Sequence, residues 1–439
     1  MGGARQVTKA SEAHGTEPLP WLRATIYASG NFAKNLVWGA SELALLFVLT
    51  KLYGFSPAFA GALLLVSLIW DACADPWIGA LADRSANFGR LILLGAPLLA
   101  VSFALLFAGP WLGLTHPAFV GLSLIAFRTG YSLVDVPHNA LLARISDVTQ
   151  RRAQIALLRF LFSSFAALAL GQSLPAQLDG AQVLEGPLAV WGALTGLVAG
   201  LIIVGAWFAV RRHDRAPSPP PQPIVARTAL TILGLPHVRL VFALALVGAL
   251  FSPLLPKMLL YYADGVLNDV GAAQGALSAM AIGQIAAVPF WFWLSSRWAP
   301  ESSLGLAHMI AGLSGAALLT GVAQAGASLS WLAGLYGLGA SGIYAVIWPL
   351  VARAADEATA ASGQPSSALV FGATIFLMQL GAGLGTGAMG LCLSAAGWQD
   401  GAAQSPAAQS MIGLIAGAGP LLGAAVAIPL CLRLQDKGR

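Results

Sequence analysis

Charge is scarce in this 439-residue chain: Asp, Glu, Lys and Arg together make up 9% of it. A water-soluble domain carries about 25% charged residues, so a soluble enzyme, a disordered chain and a fibre are all excluded. Cysteine is scarce too. Cys73, Cys392 and Cys431 form no disulfide framework, and each lies in or beside an apolar run, where it is expected to be a small buried hydrophobe. Nucleophile motifs, phosphate-binding loops and metal-ligand spacings are missing, so no enzymatic chemistry, cofactor or resident metal is expected. What the chain has instead is 57% hydrophobic residues and a mean hydropathy of +0.76. The net charge of +5 suggests nucleic acid only until the charges are placed, because nearly all of them fall in short connections. The expected partners are the lipid bilayer and a small-molecule substrate, with no nucleic acid.

A spanning helix needs about 20 apolar residues. Twelve runs qualify, near residues 24–52, 57–82, 91–110, 117–143, 153–175, 187–210, 238–263, 270–295, 303–324, 328–353, 367–396 and 407–432. The longest polar break, Arg211 to Val225, holds the proline-dense stretch Pro217 to Pro223, which cannot continue a helix. It divides the spans six and six. The expected architecture is an all-α membrane protein: a tail at 1–23, a six-helix bundle at 24–210, a linker at 211–237, a second bundle at 238–432 and a tail at 433–439. Arg227 to Pro236 is read as a short interfacial helix. Met1 to Pro20 is polar, with no short apolar core and no small-residue cleavage site, so the first apolar run is expected to stay as a membrane helix.

Most of the 23 lysines and arginines lie on one side, among them Arg84, Arg90, Arg144, Arg151, Arg211, Arg297 and Arg353. The other side has Lys51 with Asp179, Glu185, Asp264, Asp269 and Asp400. By the positive-inside rule both termini are cytoplasmic. The alanine-rich, arginine-over-lysine composition fits a bacterial inner membrane, and a monomer is expected. Glycine clusters in spans eleven and twelve, at Gly381–Gly387 and Gly417–Gly419, as close helix packing in lipid requires. Pro76, Pro137, Pro253, Pro256, Pro289 and Pro349 fall inside spans, where freed carbonyls need protein or a wet cavity beside them.

An ionisable side chain at mid-bilayer costs at least about 2.5–3.5 kcal/mol, so each one is a functional candidate. There are Lys34, Glu42, Asp71, Asp75, Arg128, Asp135 and Arg159 in the first half, and Lys257 in the second. Asp71 and Asp75 stand four residues apart, so both carboxylates leave one face of span two. Two adjacent acids repel unless a cation lies between them. This fits a coupling-ion site; the alternative is a pair of salt bridges to Lys34 or Arg159. Ser132 and Asp135, three apart, are placed to share a ligand, with Arg128 one heptad earlier. Asp135 reads as an ion or substrate group, or as a plain partner of Arg159. His138 is either a proton carrier or a hydrogen-bonded helix histidine. Lys257, after two prolines, faces substrate or a carbonyl cage. Trp38, Trp70, Trp348, Tyr131 and Tyr344 offer faces for a sugar ring, although interface anchoring accounts for most tryptophans. In the connection after span two, Gly79 allows a close crossing, and Asp83, Arg84 and Arg90 form a charge latch at the cytoplasmic gate.

Twelve spans with Gly79-x-x-x-Asp83-Arg84 after the second resemble the major facilitator superfamily. Tyr53-Gly-Phe-Ser56, Ile69-Trp-Asp-Ala-Cys-Ala-Asp-Pro76 and Tyr131-Ser-Leu-Val-Asp-Val-Pro137 narrow the resemblance to the glycoside–pentoside–hexuronide:cation symporters, the melibiose-permease-like family. The motif likeness covers roughly residues 24–165. It implies that Asp71 and Asp75 coordinate the coupling cation with help from Ser132, and that Asp135 and Arg159 contact sugar hydroxyls. A carboxylate accepts and a guanidinium donates, so the two read a hydroxyl array with fixed polarity. Three positions depart from the family. Asn35 stands where it has an acid, Ala74 where it has an amide ligand, and Gln379 where it has a span-eleven lysine. The oxygen missing at Ala74 favours a proton, which needs one carboxylate, over sodium, which needs several oxygens; both ions stay open.

The resulting expectation is a secondary active transporter coupling sodium or protons to symport of a sugar-like or small polar solute by alternating access. The cation site is Asp71, Asp75, Ser132 and Asp135. The substrate site is Lys34, Asn35, Glu42, Arg128, Tyr131, Asp135, Arg159, Lys257, Tyr344 and Gln379. Two alternatives keep the fold. In one, a lysolipid or organic ion meets Lys257 with its headgroup; in the other, a drug leaves by proton antiport.

Overall fold

A computed structural model of the chain describes residues 19–84, 88–145, 149–178, 185–214, 231–323, 325–364, 366–399 and 403–437. Among the described residues twelve helices are long and apolar enough to cross a membrane. Spans one to six are Trp21–Lys51, Pro57–Ala82, Phe88–Ala108, Pro117–Leu142, Gln154–Leu178 and Gly186–Val210. Spans seven to twelve are Pro236–Gly265, Gly271–Ser295, Pro300–Leu319, Gly326–Ser362, Leu369–Ala395 and Pro406–Asp436. The protein is a multi-pass membrane protein of all-α architecture. The Arg5 and Lys9 end of the chain, the proline-dense linker, Asp179 and Asp400 lie outside the described residues. Of the interfacial helix read at Arg227 to Pro236, residues 231–234 are described and helical.

The local chemistry explains the ends. Proline opens spans seven and nine, where its missing N–H leaves no bond unmade. Span ten runs past the expected residue 353 to Ser362 and stops at Gly363, which has φ +67°. Its last turns carry Arg353, Asp356 and Glu357, so hydropathy ends before the helix does. Span seven is two helices, Pro236–Phe251 and Leu254–Gly265. Pro256 frees the Ser252 carbonyl four residues back, and the Tyr336 hydroxyl donates to it.

The pairings repeat six spans apart. Span one packs on five and six, two on four, and three on four and six; seven packs on eleven and twelve, eight on ten, and nine on ten and twelve. Two bundles of six therefore share one design and a pseudo-two-fold axis. They meet where spans one and seven, two and eleven, and five and eight touch, which the same axis maps onto one another.

The bundles close tightly at the end that carries residues 52–56. Lys51 of span one pairs with Asp264 of span seven, and the Thr50 and Tyr261 hydroxyls lie 2.7 Å apart. Glycine lets spans two and eleven touch there: a Cβ added at Gly390 would lie 2.2 Å from the Pro57 carbonyl oxygen. Toward the end that carries residue 21, polar side chains on the inner faces become exposed, as at Asn139.

Two packing expectations need correction. Cys431 is buried, but Cys73 on span two is exposed and Cys392 on span eleven intermediate, because neighbouring helices leave those two positions partly uncovered. At Gly79 an added Cβ would meet Val136 at 3.9 Å, an ordinary contact, so no close crossing depends on it.

Candidate functional site

Span two stays helical through Pro76, so Asp71 and Asp75 stand one turn apart on one face, as their spacing requires. Asp71 is 1% exposed. The Ser132 hydroxyl, itself fully buried, donates to Asp71 Oδ1 at 3.0 Å. Between the acids sits Gln379 of span eleven, whose Nε2 donates to Asp71 Oδ2 and to Asp75 Oδ2, at 2.9 Å each. The site thus spans both bundles. It is not the pair of salt bridges that stood as the alternative, because Lys34 is taken by Asp135, and Arg159 bonds to Asn31 and Asn139. Gln379 belongs with the two acids, although it was expected to contact substrate.

Asp135 is the converse case. It was expected at the cation site, sharing a ligand with Ser132, but the two side chains part: Ser132 goes to Asp71, and Asp135 joins a second cluster. There Lys34 Nζ lies 2.6 Å from Asp135 Oδ1 and 2.9 Å from Asn139 Oδ1. Asn139 Nδ2 donates to Asp135 Oδ2 at 2.8 Å. Arg159 reaches Asn31 Oδ1 through Nε at 2.8 Å and Asn139 Oδ1 through its terminal nitrogen. Asn35 Nδ2 donates to the Asn31 carbonyl at 2.8 Å and to Ser163 Oγ at 2.9 Å. Asp135 therefore has Lys34, not Arg159, as its cation. The array runs from Lys34, which is 1% exposed, to the open Asn139. It presents carboxylate and amide acceptors beside ammonium, guanidinium and amide donors, as a polyol requires.

A third cluster ties the bundles together. Glu42 accepts from Arg128 at 2.8 Å and from Lys257 at 2.8 Å, and Lys257 also donates to Thr386 Oγ1 at 2.6 Å. Glu42 and Arg128 come from the first bundle, Lys257 and Thr386 from the second. The Arg128 guanidinium covers the Trp38 ring at 4.5 Å, and Tyr131 leans on the same ring with centroids 4.6 Å apart. Both faces offered for sugar stacking at Trp38 and Tyr131 are therefore engaged by protein. Trp348 stacks on Phe371, while Tyr344 is 38% exposed and lines a small crevice with Ile347 and Met378 in the second bundle. His138 is packed against Tyr27, ring centroids 4.6 Å apart, with Nε2 3.2 Å from the Tyr27 carbonyl. That is the setting of a hydrogen-bonded helix histidine.

Where the gate is expected, Arg90 lies in the first turn of the helix that begins at Phe88, and the Asp83 and Arg84 side chains lie outside the described residues. The charge contacts seen beside it come from Asp214, which the sequence did not flag, and from Arg144, which it counted only for orientation. The Asp214 carboxylate caps that helix, accepting from the Phe88 and Gly89 N–H groups at 2.8 Å each and from Trp207 Nε1 at 3.0 Å. Arg144 donates to the Asp214 carbonyl at 2.7 Å and lies over the Phe88 ring. Asn31, Asn139, Ser163 and Thr386 were also missed. Three of them carried a signal, since Asn31–Asn35, Asp135–Asn139 and Arg159–Ser163 are all spaced to share a helix face.

Several known proteins resemble the chain. Over 159 residues it is 35% identical to the uncharacterized symporter YnaJ of Bacillus subtilis (strain 168), covering 34% of this chain and 33% of that protein. The chain thus spans about a third of that relative's length. Longer matches are weaker. The isoprimeverose transporter of Lactiplantibacillus pentosus is 24% identical over 90% of this chain and 84% of its own. The inner membrane symporter YicJ of Escherichia coli (strain K12) is 20% identical over 85% and 82%. Among solved structures, a bacterial homologue of the human drug peptide transporters PepT1 and PepT2 superposes with a TM-score of 0.71 at 14% identity, covering 95% of this chain and 99% of that one. The nucleoside transporter NupG gives 0.65 at 15% identity, covering 95% and 98%. The family described as MFS/sugar transport protein matches residues 26–435. With nearly its whole length matched, the chain belongs to that family of the major facilitator superfamily, among the glycoside–pentoside–hexuronide:cation symporters.

Proposed function

We propose that the protein couples inward movement of a monovalent cation to uptake of a sugar-like solute across the bacterial inner membrane. The observation that carries this reading is the bridge from Gln379 to both Asp71 and Asp75. A cation taken up between these acids must displace a bond made by the opposite bundle. Cation occupancy is thereby linked to how the bundles meet, which is what a coupled carrier needs. Lys34, Asn31, Asn35, Asp135, Asn139 and Arg159 form the solute site beside it, facing the gap between the bundles. With the termini cytoplasmic, the closed end is periplasmic and the open end admits the cytoplasm. Lys51–Asp264 and Thr50–Tyr261 then seal the outside, and residues 24–210 and 238–432 rock about the site. One chain holds every part of this machinery, so a monomer suffices. Lys257, already bound to Glu42 and Thr386, is poorly placed to greet a lipid headgroup, which weighs against the amphiphile reading.

The test is thermal stability of the purified protein against sugars and lysolipids, in sodium and in potassium, at two pH values. A ligand that binds the folded state raises the midpoint by mass action. A rise with a sugar that depends on the cation is expected. A rise with amphiphiles alone, indifferent to sodium and pH, would overturn the reading.

A further inference from the structure

Gln379 has an oxygen that its present bonds leave idle. Its Nε2 serves two carboxylates at once, yet Oε1 is shut off from solvent and has no hydrogen-bond partner among the described residues. A buried acceptor left unpaired is costly, so it points to a ligand or to another arrangement of the same group. The carboxamide can supply that arrangement: its last torsion is broad and roughly two-fold, so half a turn exchanges nitrogen for oxygen with almost no change of shape.

We propose that Gln379 is a sodium ligand contributed by the second bundle. Before a cation arrives its Nε2 holds Asp71 and Asp75 together; when sodium enters between the acids the amide turns over and offers Oε1. This rests on the reading of Asp71 and Asp75 as the coupling-cation site. The ligand set becomes one oxygen each from Asp71, Asp75, Ser132 and Gln379, two anionic and two neutral, and a hard cation takes such oxygens. The neutral oxygen that Ala74 cannot provide thus comes from across the bundle interface. Sodium suits this set better than a proton. A proton on one carboxyl satisfies that carboxyl and Oε1 and leaves the other acid without its N–H donor, whereas sodium satisfies all four groups. A lysine at position 379 could only mimic the cation, while glutamine serves both before and after it binds.

The experiment measures binding of radioactive sodium and sodium-dependent thermal stabilisation in the purified full-length protein, with lithium and potassium for comparison. Gln379→Leu removes both amide functions, and Gln379→Glu keeps an oxygen but removes the N–H donors. Sodium affinity should fall about ten-fold or more in Gln379→Leu, the equivalent of one lost charge-assisted contact. It should equal or exceed wild type in Gln379→Glu. Wild-type sodium affinity in a folded Gln379→Leu protein would overturn the proposal, as would a loss in Gln379→Glu. If Gln379→Leu fails to fold, the glutamate variant decides alone. Asp75→Asn separates the two levels. Sodium binding lost in Asp75→Asn but kept in Gln379→Leu removes the amide and leaves the acid site standing. Sodium binding that survives in Asp75→Asn removes the acid site itself. A wild-type protein indifferent to sodium but responsive to pH would overturn sodium as the ion and keep the site.

Discussion

Neutralising Glu42 probes how the bundles are joined inside the membrane. Its carboxylate accepts from Arg128 and from Lys257 at 2.8 Å each, and those side chains are 1% and 5% exposed. Gln at this position keeps the shape and removes the charge, leaving two buried cations without an anion. Breaking a buried ion pair by removing one partner costs about 3–5 kcal/mol. Two charge-assisted hydrogen bonds, at about 1.5–3 kcal/mol each, give about 3–6 kcal/mol, which overlaps that range. Glu42→Gln should therefore lower the thermal midpoint markedly, and Lys257→Met less, because Glu42 keeps Arg128. A double-mutant cycle on detergent-purified protein isolates the pair. Glu42→Gln with Lys257→Met should be less unstable than the sum of the single changes, by a coupling of about 0.5–3 kcal/mol. A Glu42→Gln protein that melts with wild type, together with a strictly additive double mutant, would refute the idea that this acid holds the two bundles.

Three further outcomes follow from the same geometry. Arg159→Lys cannot bridge Asn31 and Asn139 as the guanidinium does, so the solute KM should rise about ten-fold for one lost contact near 1.5 kcal/mol, with the cation dependence unchanged. Lys51→Met leaves Asp264 without its cation at the closed end; the partners are 16% and 21% exposed, between a surface pair worth under about 1 kcal/mol and a buried one costing about 3–5 kcal/mol, so stability should fall by about 1–3 kcal/mol, while accessibility of an engineered cysteine at that end increases. Gly390→Ala drives a Cβ into the Pro57 carbonyl, costing about 1–3 kcal/mol and forcing spans two and eleven apart, which distance measurements between spin labels on the two bundles would record.

The spans were legible because lipid demands long apolar helices, and only the ends of spans such as the tenth, which continue in polar sequence, escaped. Asp71 and Asp75 were legible as a pair because a four-residue spacing on a helix fixes one shared face. Partners across the bundle were not. Nothing local says that Lys34 meets Asp135 over a separation of 101 residues, or that Glu42 lies between Arg128 and Lys257, since those contacts depend on how helices rotate against each other. Asn31, Asn139, Ser163 and Thr386 carry no charge, so the cost of burying ions did not mark them. Gln379 drew attention through family resemblance alone; its place between two acids needed the packing of span eleven on span two. Asp214 lies in the polar break that begins at Arg211, and nothing local marks it as the cap of a helix that starts 126 residues earlier.

The central claim is that Asp71 and Asp75 link a cation gradient to uphill solute movement. Proteoliposomes holding the purified protein test it directly, with a radiolabelled sugar chosen by the stability panel and an imposed sodium or pH gradient. Wild type should accumulate the sugar above its external concentration only while the gradient lasts. Asp75→Asn, folded and inserted, should fail to accumulate it. Accumulation that persists without any cation gradient, or is unchanged in Asp75→Asn, would contradict the account.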